Sequence, residues 1–188
     1  MDLNLHHRTC IILGGPGPTQ QTLIQSLTAQ GADVVLLGPE AEKLSKFCQS
    51  ISDQREVNPK FGRAGALNLE SFEQMKIKDG ISRASQIFGG LDIFIDALQE
   101  NRPSPFKIGE EINDFESLVE RNLLANLRAS EFVAGFFKSR KKGRIIYLLN
   151  DSFNRMIGMD AIATAARTGL IAFAKTLAKQ LQECSVTV

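Results

Sequence analysis

Thr9-Cys10-Ile11-Ile12-Leu13-Gly14-Gly15-Pro16-Gly17-Pro18 decides how the chain folds. Its first half is a short β-rich apolar run, and its second half is turn-forming. A helical pattern follows at once, with Leu23, Ile24 and Leu27 on one face, and stops at Gly31. The same strand–helix unit then recurs. Asp33-Val34-Val35-Leu36-Leu37 reads as a second strand, punctuated by Gly38-Pro39. Glu40 to Ile51 reads as a helix with Leu44, Phe47, Cys48 and Ile51 inward. Arg63 to Leu69 is a weak third strand, and Glu70 to Phe88 is helical in pattern with Gly80 inside it. Leu91 to Ile95 is the fourth strand, followed by a loop with two prolines between Asn101 and Lys107. Asn113 to Lys142 reads as a long helix, acidic at its start and basic at its end as the macrodipole favours, and stopped by Gly143. Arg144 to Leu149 is the fifth strand, Asn150 to Met159 a loop, Asp160 to Glu183 a helix, and Ser185 to Val188 the start of a sixth strand.

Strands alternating with helices predict an α/β fold: a doubly wound parallel sheet of about six strands, covered on both faces. A length of 188 residues suits one domain spanning the whole chain. Lys plus Arg is 22 against 21 Asp plus Glu, so no global field favours nucleic acid or an anionic membrane. No apolar run approaches the roughly 20 residues a membrane helix needs. Met1 to Cys10 lacks a long apolar stretch and a small-residue cleavage pattern, so no signal peptide is expected and a cytoplasmic location is the default. Cys10, Cys48 and Cys184 are too few and too scattered for a disulfide framework or a zinc knuckle.

The order of landmarks resembles the short-chain dehydrogenase/reductase family. The resemblance rests on the glycine turn at Gly14, the Gly31-Ala32 step into strand two, Leu91-Asp92-Ile93 at strand four, Asn122 in the long helix, and Gly143-Arg144-Ile145-Ile146 leading strand five. It implies an NAD(P)-binding Rossmann fold, oxidoreductase chemistry, and NAD(P) held by Gly14, Gly15, Gly17 and Thr19, with Glu40, Asn68 and Asp96 at the family's later contact positions. It also implies further chain beyond strand six, where the family places a loop over the nicotinamide and a substrate lobe; this sequence stops at Val188.

Against that resemblance stand the departures. The family's turn reads T-G-x-x-x-G-x-G, and here Leu13 to Gln20 keeps only the first glycine in place. The second glycine lets backbone approach a pyrophosphate and the third lets helix one pack on the sheet. Pro18 has no N–H to give, and Gln20 puts a long side chain where the helix presses close. The turn is therefore either a reshaped dinucleotide site or a stiff connection and nothing more. Asp96-Ala97-Leu98-Gln99 replaces N-N-A-G, crowding the nucleotide. These changes predict weak cofactor binding or none.

The family's catalytic set is Asn, Ser, Tyr and Lys. Asn122 matches the first; the Ser position falls on Asn150, with Ser152 two residues on. The Tyr and Lys positions fall on Ala163 and Arg167. The chain's single tyrosine, Tyr147, lies inside strand five, so none is left to replace the missing proton donor. Arg167 keeps its proton at neutral pH and is no substitute in acid–base work. Asn122, Asn150, Ser152 and Arg167 therefore read as vestiges of a catalytic site.

The remaining polar clusters carry less. His6-His7 is an N-terminal arm, Asp151 a loop carboxylate, Asp160 an N-cap, and Lys138 to Arg144 a solvated helix end, so no metal site is expected. Ala161, Ala165, Gly169 and Ala172 form a small-residue stripe on the last helix. The stripe suits a dimer through the last two helices, as the family commonly forms, or close packing on the sheet. The leading expectation is a catalytically inactive relative acting as a binding, regulatory or scaffold protein, through a dimer or a partner protein. The alternatives are an NAD(P)-dependent oxidoreductase with a non-standard site and a nucleotide sensor without turnover.

Overall fold

The computed structural model describes residues 3–98, 115–149 and 161–188. Six parallel strands lie in the order β3-β2-β1-β4-β5-β6: β1 Thr9–Leu13, β2 Asp33–Gly38, β3 Ala64–Asn68, β4 Ile93–Asp96, β5 Gly143–Tyr147 and β6 Val186–Thr187. The crossovers are carried by α1 Pro18–Ala29, α2 Ser45–Val57, α3 Gln74–Ile87, α4 Phe115–Val119, α5 Ala125–Arg140 and α6 Ala161–Leu181. The doubly wound parallel sheet expected from the alternating pattern is the observed architecture.

Alternation along the strands divides the core. Cys10, Ile12, Val34, Leu36, Ile93 and Ile95 face α1 and α2, where Ile24, Cys48 and Ile51, with Leu44 just before α2, meet them. Ile11, Leu13, Val35, Leu37 and Phe94 face the other way, against Ile77 and Ile81 of α3, Ala129, Val133 and Phe137 of α5, and Leu177 of α6. Burial on both faces is why β1 and β2 read as unbroken apolar runs.

Boundaries moved where local geometry differs from pattern. The helix expected from Glu40 starts as a tight turn, Ala41–Leu44, because Glu40 itself is left-handed at φ 54°, and α2 then runs past Ile51 to Val57. The long helix holds a π segment, Glu120–Leu124, between α4 and α5. A widened turn leaves carbonyls without their i+4 partner. Two asparagine side chains bond carbonyls there: Asn122 Nδ2 donates to Leu118 O at 3.0 Å and Asn126 Nδ2 to Asn122 O at 3.1 Å.

Two glycines permit the close approach of β1 and β2 connections. The amide of Gly14 donates to Leu37 O at 2.9 Å, and a Cβ on Gly38 would stand 2.1 Å from Gly14 O. Gly38→Ala is therefore expected to cost ~3 kcal/mol through forced separation of the two turns, read as a lowered urea midpoint. An unchanged midpoint would show that the turns separate freely.

Candidate functional site

The carboxyl ends of β1, β2, β3 and β4 converge where the strand order changes direction, which is where open α/β sheets bind ligands. A cleft of about 810 Å³ opens there. Its described lining comprises Gly15 from the first turn, Pro39 and Glu40 after β2, Leu69 to Glu73 after β3, Leu98 after β4, and Ser117, Glu120 and Arg121 from the helical rod. Among these residues four carboxylates accompany one guanidinium. Three of the four are paired with cations that stand outside the lining: Glu40 with Lys43, Glu70 with Lys76, and Glu120 with Arg128.

The glycine turn is filled by the chain itself. Gly17 is the N-cap of α1 and makes no side-chain cap bond; Pro18 occupies the first turn, where its missing N–H costs little. Helical side chains lean back toward their helix N-terminus. Gln20, in that first turn, leans over Gly17 and Gly14 and donates from Nε2 to Ala97 O of the β4 end at 3.3 Å. A Cβ on Gly14 would meet Gln20 Nε2 at 3.0 Å, and one on Gly17 would meet Gln20 Oε1 at 3.0 Å. These glycines make room for the Gln20 amide. Gln20 was expected to crowd the helix against the strand; its place over both glycines, tied to β4, was not legible from the motif. NAD(P) bound as the family resemblance implies would lay its pyrophosphate on this turn, and the residues present do not fit that group.

The other expected contact residues are scattered. Gly15 and Glu40 line the cleft. Thr19 is exposed on α1. Asn68, expected near adenine, accepts the Glu42 N–H at Oδ1, 3.1 Å away, and so braces the turn after β2. Asp96, expected beside the cofactor, is 2% exposed and stands outside the described lining of the cleft. It is level with Tyr147 of β5, and its Oδ1 accepts the Leu98 N–H at 3.2 Å. Burial pushes its carboxyl up to about 7 against the pull of that hydrogen bond.

Of the residues expected to form a vestigial catalytic set, Asn122 is buried in the π segment. Asn126, one turn on, also donates to Leu98 O at 3.4 Å and ties the rod to the β4 end. Asn150 and Ser152 lie outside the described residues, as do Asp151 and Asp160. Ala163 and Arg167 are each 2% exposed on the inner side of α6. Tyr147 donates to Ser130 Oγ at 2.7 Å; its phenol is pushed up to about 12 by burial first and by the nearby Asp96 charge. The tyrosine is committed to α5.

Burial also raises the thiols of Cys10 and Cys48. Among the described residues no group of three His, Cys, Asp or Glu side chains is placed to hold a metal, and no helix is long and apolar enough to cross a membrane.

The small-residue stripe resolves one ambiguity. Ala161, Ala165, Gly169 and Ala172 are exposed, while Ala163, Ala166 and Leu170 face inward, so the stripe does not serve packing on the sheet. Phe137, Leu170 and Leu177 are buried. Leu124, Leu127 and Phe173, with the edge of Leu177, line a groove of about 430 Å³ between α5 and α6.

The profile of the short chain dehydrogenase family matches residues 8–188. The 3-oxoacyl-[acyl-carrier-protein] reductase FabG of Escherichia coli (strain K12) is 26% identical over 189 residues, 99% of this chain and 72% of that protein. An uncharacterized oxidoreductase of Staphylococcus haemolyticus is 23% identical over 97% of this chain and 75% of its own length. Among solved structures, a dehydrogenase/reductase from Sinorhizobium meliloti 1021 superposes with a TM-score of 0.80 at 22% identity, covering 100% of this chain and 71% of that one. NAD+-bound xylitol dehydrogenase superposes at 0.82 with 17% identity, covering 98% and 69%. Sequence landmarks, sheet order and profile agree: the chain belongs to the short-chain dehydrogenase/reductase family of oxidoreductases.

Proposed function

We propose that this protein is a catalytically inactive member of its family that works by binding, as a regulatory or scaffold protein assembled into a symmetric dimer. The observation that carries the reading is the pair Ala163 and Arg167, buried at the positions of the family's catalytic Tyr and Lys. Alanine has no proton to exchange, and arginine does not release its own near neutral pH. Tyr147 is held by Ser130 on the α5 side. Asn122, retained and buried in the π segment, favours a second reading, an NAD(P)-dependent oxidoreductase with a non-standard site; the printed names of the relatives, reductases and oxidoreductases, favour it too.

Assembly is supported by the exposed stripe on α6 and the apolar groove beside it, which together leave an open face on two adjacent helices among the described residues. A second copy related by a two-fold axis would set α5 and α6 against their equals.

The test of inactivity is absorbance at the nicotinamide band with NADPH or NADH and a panel of ketones, sugars and acyl thioesters. No oxidation above the protein-free rate is expected, and Ala163→Tyr with Arg167→Lys is not expected to restore it while Gln20 fills the turn. Oxidation by the unmodified chain, lost on Asn122→Ala, would establish the second reading instead.

A further inference from the structure

We infer that the recess at the amino ends of β1, β4, β5 and β6 binds a small soluble phosphate monoester, held by Arg8, Lys142 and Arg144. The recess lies at the opposite end of the sheet from the cleft and is independent of it.

The basic run Lys138 to Arg144, expected as one solvated helix end, divides in the fold. Lys138 and Arg140 stand in the last turn of α5, where cations complement the helix dipole, and Arg140 donates to Leu91 O at 3.0 Å. Lys142 and Arg144 lie past the cap. Ile145 faces the α5 core, so strand parity turns Arg144 to the opposite face, level with Ile93 on one side and Thr187 on the other. There a recess of about 260 Å³ is lined by Arg8, Asp92, Lys142, Arg144, Ser185 and Thr187, with Leu3 and Leu5 as an apolar wall. Three cations thus share it with one carboxylate. That carboxylate is already engaged: Asp92 Oδ2 accepts the Thr9 N–H at 3.1 Å, and Arg8 Nη1 stands 3.6 Å from Oδ1, a loose surface pair of little worth. Lys142 and Arg144 have no carboxylate partner among the described residues. Arg144 Nε donates to Thr187 Oγ1 at 3.2 Å, which holds the guanidinium while leaving its terminal nitrogens as donors. A guanidinium so held matches two phosphate oxygens at once, and the Lys142 ammonium adds a point charge. Ser185 brings a hydroxyl from a left-handed residue at φ 54°, a conformation that glycine would hold without strain. A phosphate monoester carries nearly two negative charges at neutral pH and gains from all three cations. The volume suits a phosphate on a short carbon skeleton and is too small for a dinucleotide.

Calorimetry on the intact protein in phosphate-free buffer, with glycerol 3-phosphate and glycerol as probes, tests this. Glycerol 3-phosphate is expected to bind with a Kd of about 1 mM or tighter, weakening as salt is raised, and glycerol to give no heat. Arg144→Gln is expected to weaken the phosphate at least about tenfold, and Arg144→Lys, which keeps the charge and loses the fork, about threefold. Ser185→Gly, which suits the left-handed backbone, is expected to weaken it about threefold with the circular dichroism of the wild type. Lys46→Gln, which removes an exposed cation of α2, is expected to leave the affinity unchanged. No heat from glycerol 3-phosphate up to about 10 mM would overturn the inference, as would wild-type affinity in Arg144→Gln or an equal loss in Lys46→Gln. The same phosphate group occurs on lipids, so sedimentation with vesicles of phosphatidylcholine and phosphatidic acid is the second arm. The vesicles are expected to bring down no protein; sedimentation that is lost in Arg144→Gln would overturn the soluble assignment.

Discussion

Stability against urea is expected to fall by on the order of 4 kcal/mol between about pH 4 and pH 7, and Asp96→Asn is expected to remove that slope. Asp96 is buried, and its carboxyl has an ordinary value of 3.8 that burial pushes up to about 7 in the fold. Within that window the folded protein holds a proton that the unfolded chain has released. Its contribution is thus full below pH 3.8, declines by about 1.4 kcal/mol per pH unit, and is gone above pH 7. Its Oδ1 takes the Leu98 N–H, while its Oδ2 and the nearby helix's Asn126 Oδ1 are buried acceptors with no hydrogen-bond donor among the described residues. An ionised carboxylate there is costly, and an isosteric amide is not. Asp96→Asn should therefore match the wild type near pH 4 and exceed it at pH 8. Asp33 acts in a different window. Burial pushes its carboxyl up, but the Arg63 hydrogen bonds and charge outweigh that and hold it below its ordinary value, so its stabilisation is lost only on acidification below about pH 4. Parallel curves for wild type and Asp96→Asn from pH 4 to 8 would show that the Asp96 carboxylate is stabilised in the fold.

Ala165→Arg is expected to convert the proposed dimer to monomer, weakening association by about four orders of magnitude or more. The residue sits in the middle of the exposed stripe on α6. In a two-fold interface it faces its own copy or a swapped pair, so one substitution buries two unpaired guanidinium groups, and each such charge costs about 3–5 kcal/mol. Gly169→Leu is a gentler probe with a different limit: a Cβ there stands 3.6 Å from Leu123 Cδ1 of the same chain, so a leucine presses on its own rod as well as on a partner. Light scattering across a concentration series reads the shift, with circular dichroism as the check on folding. A wild type that stays monomeric at high micromolar concentration would remove the dimer proposal.

Residue pattern alone determined the architecture. Apolar strands buried on both faces leave an unmistakable mark, and glycines punctuate them: Gly31 takes a left-handed φ of 86°, while at Gly38 neighbouring backbone and at Gly143 the Phe137 ring come too near for a Cβ. The sequence also shows Ala163 and Arg167 at the positions where the family resemblance implies tyrosine and lysine. Tertiary structure decided everything that depends on where a side chain points. Sequence placed Gln20 at a lost glycine, but its reach over Gly14 to Ala97 depends on how close α1 comes to the β4 end. Asp96 falls at a position the family resemblance gives to the cofactor, and strand parity turns it to the α5 side, where burial pushes its carboxyl up. The stripe of small residues fitted packing on the sheet as well as packing on a partner, and helical phase against the sheet settled which side it faces. Periodicity reports which residues share a face; only the packed elements report what that face meets.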